Sequence, residues 1–336
     1  MGEPPLIEFV TSSLPKRPLS LVLGNLDGIH LGHQFLLRKA KTLAEQNQCE
    51  PGLLRLHPHP RVFFKTARDP GLIQNQEQTI DLLTYYGIPH LLSFPFNYRT
   101  SSLSPEAFLD QIIQDLEVRF LIVGGNYRFG HKRAGTPHLL RTLAAKRGIE
   151  AHISDHIEDE DGVISSTRVR NCVRRGEMRK AHQLLGRHYF MEGPVIEGIQ
   201  KGREMGIPTA NMEPSGLLLP RLGVYATWLR ARDQWLPSIT NVGVRPTRNQ
   251  DAPETLQPTL GIETHALDQT VELYGEHVIV AFTQFMRPEK RFEDFQALKA
   301  QIRNDIDQRR TLDDLMNHPD LTLFDHIAEN RLKQIN

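Results

Sequence analysis

From Leu19 to about Gly186, short apolar runs alternate with stretches of helical period. "LSLVLGN" (19–25), "GLLRL" (52–56), "HLLSF" (90–94), "RFLIVGG" (119–125) and "EAHIS" (150–154) are short and mostly apolar, as strands buried on both faces of a parallel sheet are. Helix signals lie between them. Leu36, Ala40 and Leu43 recur at helical spacing behind the first run, Ser104-Pro105-Glu106 supplies a cap, an N1 proline and an early acid, and Thr136-Pro137 opens a helix that Gly148 can close. Strand and helix in repeated alternation imply right-handed crossovers and a Rossmann-like α/β domain, with ligands at the carboxyl ends of the strands.

After Gly186 the rhythm changes. "YFMEGPVIEG", "GVYATWLR", "PSITNVGV", "LGIETHAL" and "VELYGEHVIVAFTQFM" follow one another without intervening helices, which predicts a small antiparallel barrel. A helix over 291–310 comes next, with Phe292, Phe295, Leu298 and Ile302 spaced to cover a barrel face. This gives an N-terminal domain over 1–186, a C-terminal domain over 187–312 and a tail over 313–336 to which the pattern assigns no role.

The chain has 336 residues, long enough for two cores, and its 40 basic and 40 acidic side chains cancel. No global charge directs it to nucleic acid or to an anionic membrane, so any anion site is local. Cys49 and Cys172 stand far apart, in neither disulfide nor zinc-ligand spacing, which fits a reducing cytoplasm. No signal-peptide pattern and no run of about 20 apolar residues is found.

The candidate chemistry begins in "GNLDGIHLGH" (24–33), between the first strand and the first helix. His30 and His33 fall at a helix N-terminus, where free N–H groups and the dipole favour an anion, and Gly24, Gly28 and Gly32 allow a close backbone approach. The same histidines could serve a metal, with His57 and His59 as further ligands, or only cap the helix. A second stretch, "ISSTRVRNCVRRGEMRK" (164–180), places Ser165, Ser166 and Thr167 at a predicted helix start, followed by Arg168 and Arg170. These donors suit a triphosphate, although a basic helix is also an ordinary solvated face.

Taken together, the strand–HxGH–helix and the Ser/Thr/Arg stretch resemble the nucleotidyltransferase superfamily. With "HPHP" (57–60) and "VGGNYRFGHKRAGT" (123–136), in this order, they resemble the FMN adenylyltransferase half of the bifunctional bacterial riboflavin kinase/FAD synthetases. Leu26, His57 and Asn126 depart from that family's usual residues. The resemblance implies that FMN attacks the α-phosphorus of ATP in line. It further implies that His30 and His33 hold phosphates, with Gly24, Asn25, Gly28 and Gly32 lining the site. Ser165, Ser166, Thr167 and Arg168 then close over the β- and γ-phosphates, and Asn126 and Arg128 help define the nucleotide site.

In the second half, "VIEGIQKGREMGIPTANM" (195–212) joins a glycine-rich loop, with Gly198, Gly202, Lys201 and Arg203, to Pro208-Thr209-Ala210-Asn211. A hydroxyl and an amide beside such a loop suit magnesium and phosphate, while the loop alone could be a plain hairpin. "GVYA" (223–226), "NVGVRPT" (241–247), "ETHALD" (263–268), "LYG" (273–275) and "RPEKRF" (287–292) complete a resemblance to riboflavin kinases. That resemblance implies Glu263 as the base for the ribityl hydroxyl, and Thr209 and Asn211 as partners of Mg2+ and the phosphates of ATP. Gly198, Gly202 and Arg203 serve the phosphates in the same reading. The expectation is thus a two-headed enzyme that takes riboflavin, FMN and ATP, with flavins as substrate and product, no nucleic acid and no membrane. Its expected architecture is an N-terminal nucleotidyltransferase-like domain with a parallel sheet, a C-terminal riboflavin kinase-like barrel and a C-terminal helix.

Overall fold

The computed structural model of the chain describes residues 6–11, 14–64, 71–197, 206–214, 216–245, 259–267, 273–312 and 321–335. The chain divides into two compact units, one of Met1–Pro70, Gln74–Ser166 and Thr322–Asn336, the other of Gly71–Ile73 and Thr167–Leu321.

The first unit contains a six-stranded sheet of β1 (Glu8–Phe9), β2 (Leu19–Leu23), β3 (Glu50–His57), β4 (His90–Pro95), β5 (Val118–Gly124) and β6 (Glu150–Ser154), in the order β1-β4-β3-β2-β5-β6. The five strands expected from the apolar runs are parallel. β1 is an antiparallel addition too short to leave a pattern, held where the Leu6 and Ile7 N–H groups donate to the Asp115 carboxylate at 2.8 and 3.0 Å. Five helices link the strands: α1 (Leu31–Asn47), α2 (Pro60–Phe63), α3 (Gln76–Tyr85), α4 (Pro105–Asp115) and α5 (Pro137–Ala145). The expected caps are made, with Ser104 accepting from the Ala107 N–H and Thr136 from the Leu139 N–H. Asn75 and Gln78 add a reciprocal capping box on α3. One face of the sheet, with Leu21, Leu23, Leu54, Phe94 and Leu121, shares its core with Phe108 and Ile112 of α4 and Leu140 of α5. Strand order turns at β2, which lies between β3 and β5, so the switch point that binds ligands in doubly wound sheets lies at the ends of β2 and β5.

A small hairpin of β7 (Glu158–Asp159) and β8 (Gly162–Val163) precedes α6 (Ser166–Arg175) and α7 (Met178–Leu185). The second unit then forms an antiparallel sheet of β9 (Tyr189–Pro194), β10 (Ala210–Met212), β11 (Gly223–Ala231), β12 (Gln234–Arg245), β13 (Thr259–Ala266) and β14 (His277–Arg287). Its order is β10-β13-β12-β11-β14-β9, and the Ile196–Asn211 pair brings the two ends together as a barrel. Buried hydroxyls on one face satisfy one another, Thr227 with Ser238 at 2.8 Å and with Thr240 at 2.7 Å, and Thr240 with Thr264 at 3.0 Å.

α8 (Phe295–Thr311) covers the other face. It starts later than the apolar spacing predicts, at the Asp294 cap, whose carboxylate accepts from the Ala297 N–H at 2.7 Å. Ile302 and Ile306 pack on Val224, Ile239 and Leu267, whereas Phe295 is exposed. The buried Asp305 carboxylate accepts from Arg287 Nη2 at 2.7 Å and from Gln301 at 2.9 Å. The last helix, α9 (Leu321–Ile335), belongs almost entirely to the first unit, where Leu323, Phe324 and Ile327 are buried. Thr322 meets the Tyr85 hydroxyl at 3.1 Å, and the Asn330 amide donates to Asp81 at 3.3 Å.

Candidate active sites

At the carboxyl end of β2 the chain passes through Gly24–His30 into α1. The Gly24 N–H donates to the Leu54 carbonyl at 3.0 Å, and the Asn25 amide both donates to and accepts from the Leu56 backbone, at 3.2 and 3.1 Å. Gln34 reaches back from α1 to the Ile29 carbonyl at 3.0 Å. These ties hold a turn that adopts φ of 44° at Leu26, 90° at Gly28 and 35° at Ile29. Glycine takes such values freely, but Ile29 is β-branched and fully buried, and a residue held there costs about 1–3 kcal/mol.

His30 occupies the N-cap of α1 and His33 the third helical position, with their rings stacked at a centroid separation of 3.6 Å. Gly32 makes room for the stack, because a Cβ there would lie 3.2 Å from the His30 ring. The first-turn N–H groups and the positive end of the dipole open at the same place. Ser166 joins this point from far along the chain, its hydroxyl donating to the Asp27 carbonyl at 2.7 Å. Ser165 precedes it, and Thr167 and Arg168 continue into the first turn of α6. His57 is exposed at the end of β3, next to the Leu56 backbone that Asn25 holds, and His59 caps α2 by accepting from the Arg61 N–H at 3.1 Å. Partial desolvation, with the Arg55 guanidinium close by, lowers the His57 pKa. Among the described residues no group of three or more His, Cys, Asp or Glu gathers as a metal site.

Beyond β5, the Gly125 N–H donates to the Ser154 carbonyl at 3.0 Å, and Phe129 and Gly135 pair at 3.2 and 2.8 Å. The segment between Gly125 and Phe129 exposes Asn126 and Arg128. Phe63, Phe64, Phe96 and Tyr98 form an aromatic cluster after β3 and β4, with Phe63 5.4 Å from Phe96 and 5.0 Å from Tyr98. Tyr98 is 82% exposed, so the cluster is not core.

In the barrel, Asn211 of β10 and Asn241 of β12 lie directly opposite Glu263 of β13, one on each side. Residues so paired point to one face with Cβ atoms about 5 Å apart, which makes a row of amide, carboxylate and amide. Asn211 Nδ2 donates to the Thr209 carbonyl at 3.3 Å and lies 3.5 Å from its hydroxyl. The His265 ring meets the Pro208 carbonyl at 2.8 Å and anchors the approach. Next to the row, Gly243 leaves the space that the Glu289 carboxylate fills.

Residues 13–168 match the family model described as FAD synthetase, and residues 185–312 the one described as riboflavin kinase. The bifunctional riboflavin kinase/FMN adenylyltransferase of Listeria monocytogenes is 33% identical over 292 residues, which cover 86% of this chain and 91% of the relative. The chain belongs to the bifunctional riboflavin kinase/FMN adenylyltransferase family. Its Escherichia coli K12 member is 32% identical over 301 residues, covering 88% of this chain and 92% of that one. A crystal structure described as a macrolide-efflux protein from Streptococcus pneumoniae superposes with a TM-score of 0.78 at 26% identity, covering 90% of this chain and 97% of the other. No helix among the described residues of this family member is long and apolar enough to cross a membrane.

Of the residues singled out by sequence, Gly24, Asn25, Gly28, His30, Gly32, His33 and Ser166 gather at the start of α1, and Thr209, Asn211 and Glu263 gather on the barrel. Gly198, Gly202 and Arg203 lie outside the described residues. Sequence reasoning missed Asn241 as a neighbour of Glu263 and missed the aromatic cluster. Asn241 was visible inside "NVGVRPT", but the β12–β13 register that aligns it with Glu263 was not.

Proposed function

We propose that this chain phosphorylates riboflavin with ATP to give FMN and ADP, and then adenylylates FMN with a second ATP to give FAD and pyrophosphate. The observation that carries the reading is the Ser166–Asp27 hydrogen bond, which joins the Ser/Thr/Arg stretch to the HxGH turn at the switch point of a doubly wound sheet. In adenylylation, the FMN phosphate oxygen attacks the α-phosphorus in line, and the chain contributes placement and charge stabilisation. His30 and His33 donate to phosphate oxygens from the α1 N-terminus, with Gly24, Asn25, Gly28 and Gly32 letting the backbone approach. Ser165, Ser166 and Thr167 donate hydrogen bonds to the departing pyrophosphate while Arg168 offsets its charge, and Asn126 and Arg128 bound the nucleotide. The Phe63, Phe64, Phe96 and Tyr98 rings, packed edge to face, offer an exposed aromatic surface on which an isoalloxazine ring can stack.

In phosphorylation, Glu263 accepts the proton of the ribityl 5′-hydroxyl as it attacks the γ-phosphorus. Thr209 and Asn211 would hold a magnesium ion that arrives with ATP, since a hydroxyl and an amide carbonyl are hard oxygen donors. When bound, that ion neutralises phosphate charge. Gly198, Gly202 and Arg203 serve the same phosphates in this reading. The cytoplasm is the setting we assign, where the buried thiols Cys49 and Cys172 stay reduced.

Incubation with riboflavin, ATP and magnesium, followed by chromatography of the flavins, tests both halves. FMN and then FAD are expected, and neither without magnesium. Glu263→Gln should stop FMN formation yet leave FMN-to-FAD conversion, and His30→Ala should do the converse. Loss of both conversions from either substitution in a folded protein would show that the two-site assignment is wrong.

A further inference from the structure

Lys132 and Arg133 are consecutive non-glycine residues with φ of 51° and 61°, and both are exposed. The left-handed region crowds any Cβ, and exposed turns that need it ordinarily use glycine or asparagine. Here two long cations are kept at a conformational cost.

Anchors hold them in place. Gly130, with φ of 71°, lies so close to Pro105 that a Cβ would stand 2.7 Å from the proline nitrogen. The His131 N–H donates to the Leu103 carbonyl at 2.6 Å, that of Arg133 to Gly130 at 3.0 Å and that of Ala134 to His131 at 3.1 Å. The cations therefore project from a fixed turn.

Sheet order sets where that turn lies. β4 and β5 are separated by β3 and β2, three strand spacings or about 14 Å. A loop that leaves β5 and bonds to Leu103, on the connection from β4 to α4, stands on the carboxyl edge of the sheet, the edge at which β2 also ends and leads into the turn with His30 and His33. From Asn126 to Thr136 it carries Arg128, Lys132 and Arg133 and no carboxylate. No acid among the described residues pairs with Lys132 or Arg133.

We propose that Lys132 and Arg133 bind a phosphate group of an adenylylation substrate at the rim of the switch-point crevice, either the triphosphate of ATP or the 5′-phosphate of FMN. The inference rests on the reading of this unit as an FMN adenylyltransferase. Fixed cations that no acid among the described residues pairs with, on the edge that also holds the HxGH turn, are suited to recruiting an anion rather than to stabilising the fold.

The test compares full-length wild type with the double variants K132A/R133A and K132G/R133G. FAD formation is measured with ATP varied at saturating FMN and with FMN varied at saturating ATP, each at low and high salt, and riboflavin phosphorylation is the internal control. Both variants should raise the KM for one phosphate substrate by about tenfold, as loss of charge-assisted hydrogen bonds does, and the effect should shrink in high salt. FMN formation should not change. The glycine variant should melt above wild type, because it removes the strain along with the charge. A rise confined to ATP assigns the triphosphate, and a rise confined to FMN assigns the monophosphate. Unchanged KM values for both, in a wild type that makes FAD, overturn this inference alone, whereas a wild type that makes no FAD from FMN overturns the adenylyltransferase reading with it.

Discussion

Phe324→Ala tests what α9 does for the first unit. Phe324 is fully buried, as is Ile327, with Leu323 beside them, and the helix is tied to α3 through Thr322 and Asn330. Truncating a buried phenylalanine to alanine removes its transfer free energy and leaves a cavity, together about 3–5 kcal/mol. Against a domain stability of about 5–15 kcal/mol, that is a large loss. At roughly 2–4 °C per kcal/mol for a domain of 150–250 residues, the melting midpoint should fall by about 10 °C. Because α9 clusters with the unit that carries His30 and His33, the loss should fall on FAD formation. The assay heats aliquots at stepped temperatures, cools them, and measures riboflavin-to-FMN and FMN-to-FAD conversion in each. The midpoint for FAD formation should fall by that amount while FMN formation keeps its own, and Asn330→Ala, which removes one hydrogen bond, should cost only about 1 kcal/mol. Equal falls in both midpoints would mean that α9 supports the whole chain as one block. No fall in either would mean that Phe324 is not packed in solution.

Three further outcomes follow from single interactions. Ser166→Ala removes the bond to the Asp27 carbonyl, worth about 1 kcal/mol, and should raise the KM for ATP in FAD formation severalfold without touching FMN formation; Ser166→Thr should recover part of it. Asp305→Ala leaves the Arg287 guanidinium unpaired beneath α8 and should cost about 3–5 kcal/mol in chemical denaturation, much of it restored by R287M/D305L. Burial, with the His182 ring beside it, pushes the His188 imidazole down to about 4. Since an unfolded histidine titrates near 6.5, the folded state prefers the neutral ring, and stability present above that pH is lost as the pH falls toward 4, by about 2 kcal/mol between pH 7.5 and 5. His188→Gln should flatten that slope, and an unchanged slope would assign it to other groups.

The parallel sheet was legible because β2 through β5 carry apolar residues that face both layers, so that the strands stand out from their surroundings. α8 was legible as a helix but not in its buried stripe. Its inner face includes Asp305 and Arg309, so an apolar count shifts the contact one turn early, to Phe292 and Phe295. Phe292 instead precedes the helix, 5.9 Å from the Arg287 guanidinium and 5.8 Å from the Lys290 ammonium. The packing of α9 could not be read at all, because its partner α3 lies more than two hundred residues upstream and each surface is an ordinary amphipathic one until the two are paired.

The two sites differ in the same way, and the difference is physical. In a doubly wound sheet ligands sit where loops leave the strands, so most of the candidate phosphate-binding groups proposed for the first unit, 24–33, are close in sequence, and the distant segment 164–166 is tied in through the Ser166 hydroxyl. A barrel builds its site across strands. Asn211, Glu263 and Asn241 become neighbours only through the pairing of β10, β13 and β12, and a one-residue slip would turn Glu263 to the opposite face. A substitution that shifts β12 or β13 by one residue should therefore abolish phosphorylation while every residue of the site is still present in the sequence. The HxGH turn depends on pairing as well, through Gly24 and Asn25, which bond to Leu54 and Leu56 of the adjacent strand β3, but Gln34 also ties it from within α1 and its histidines stay neighbours in sequence.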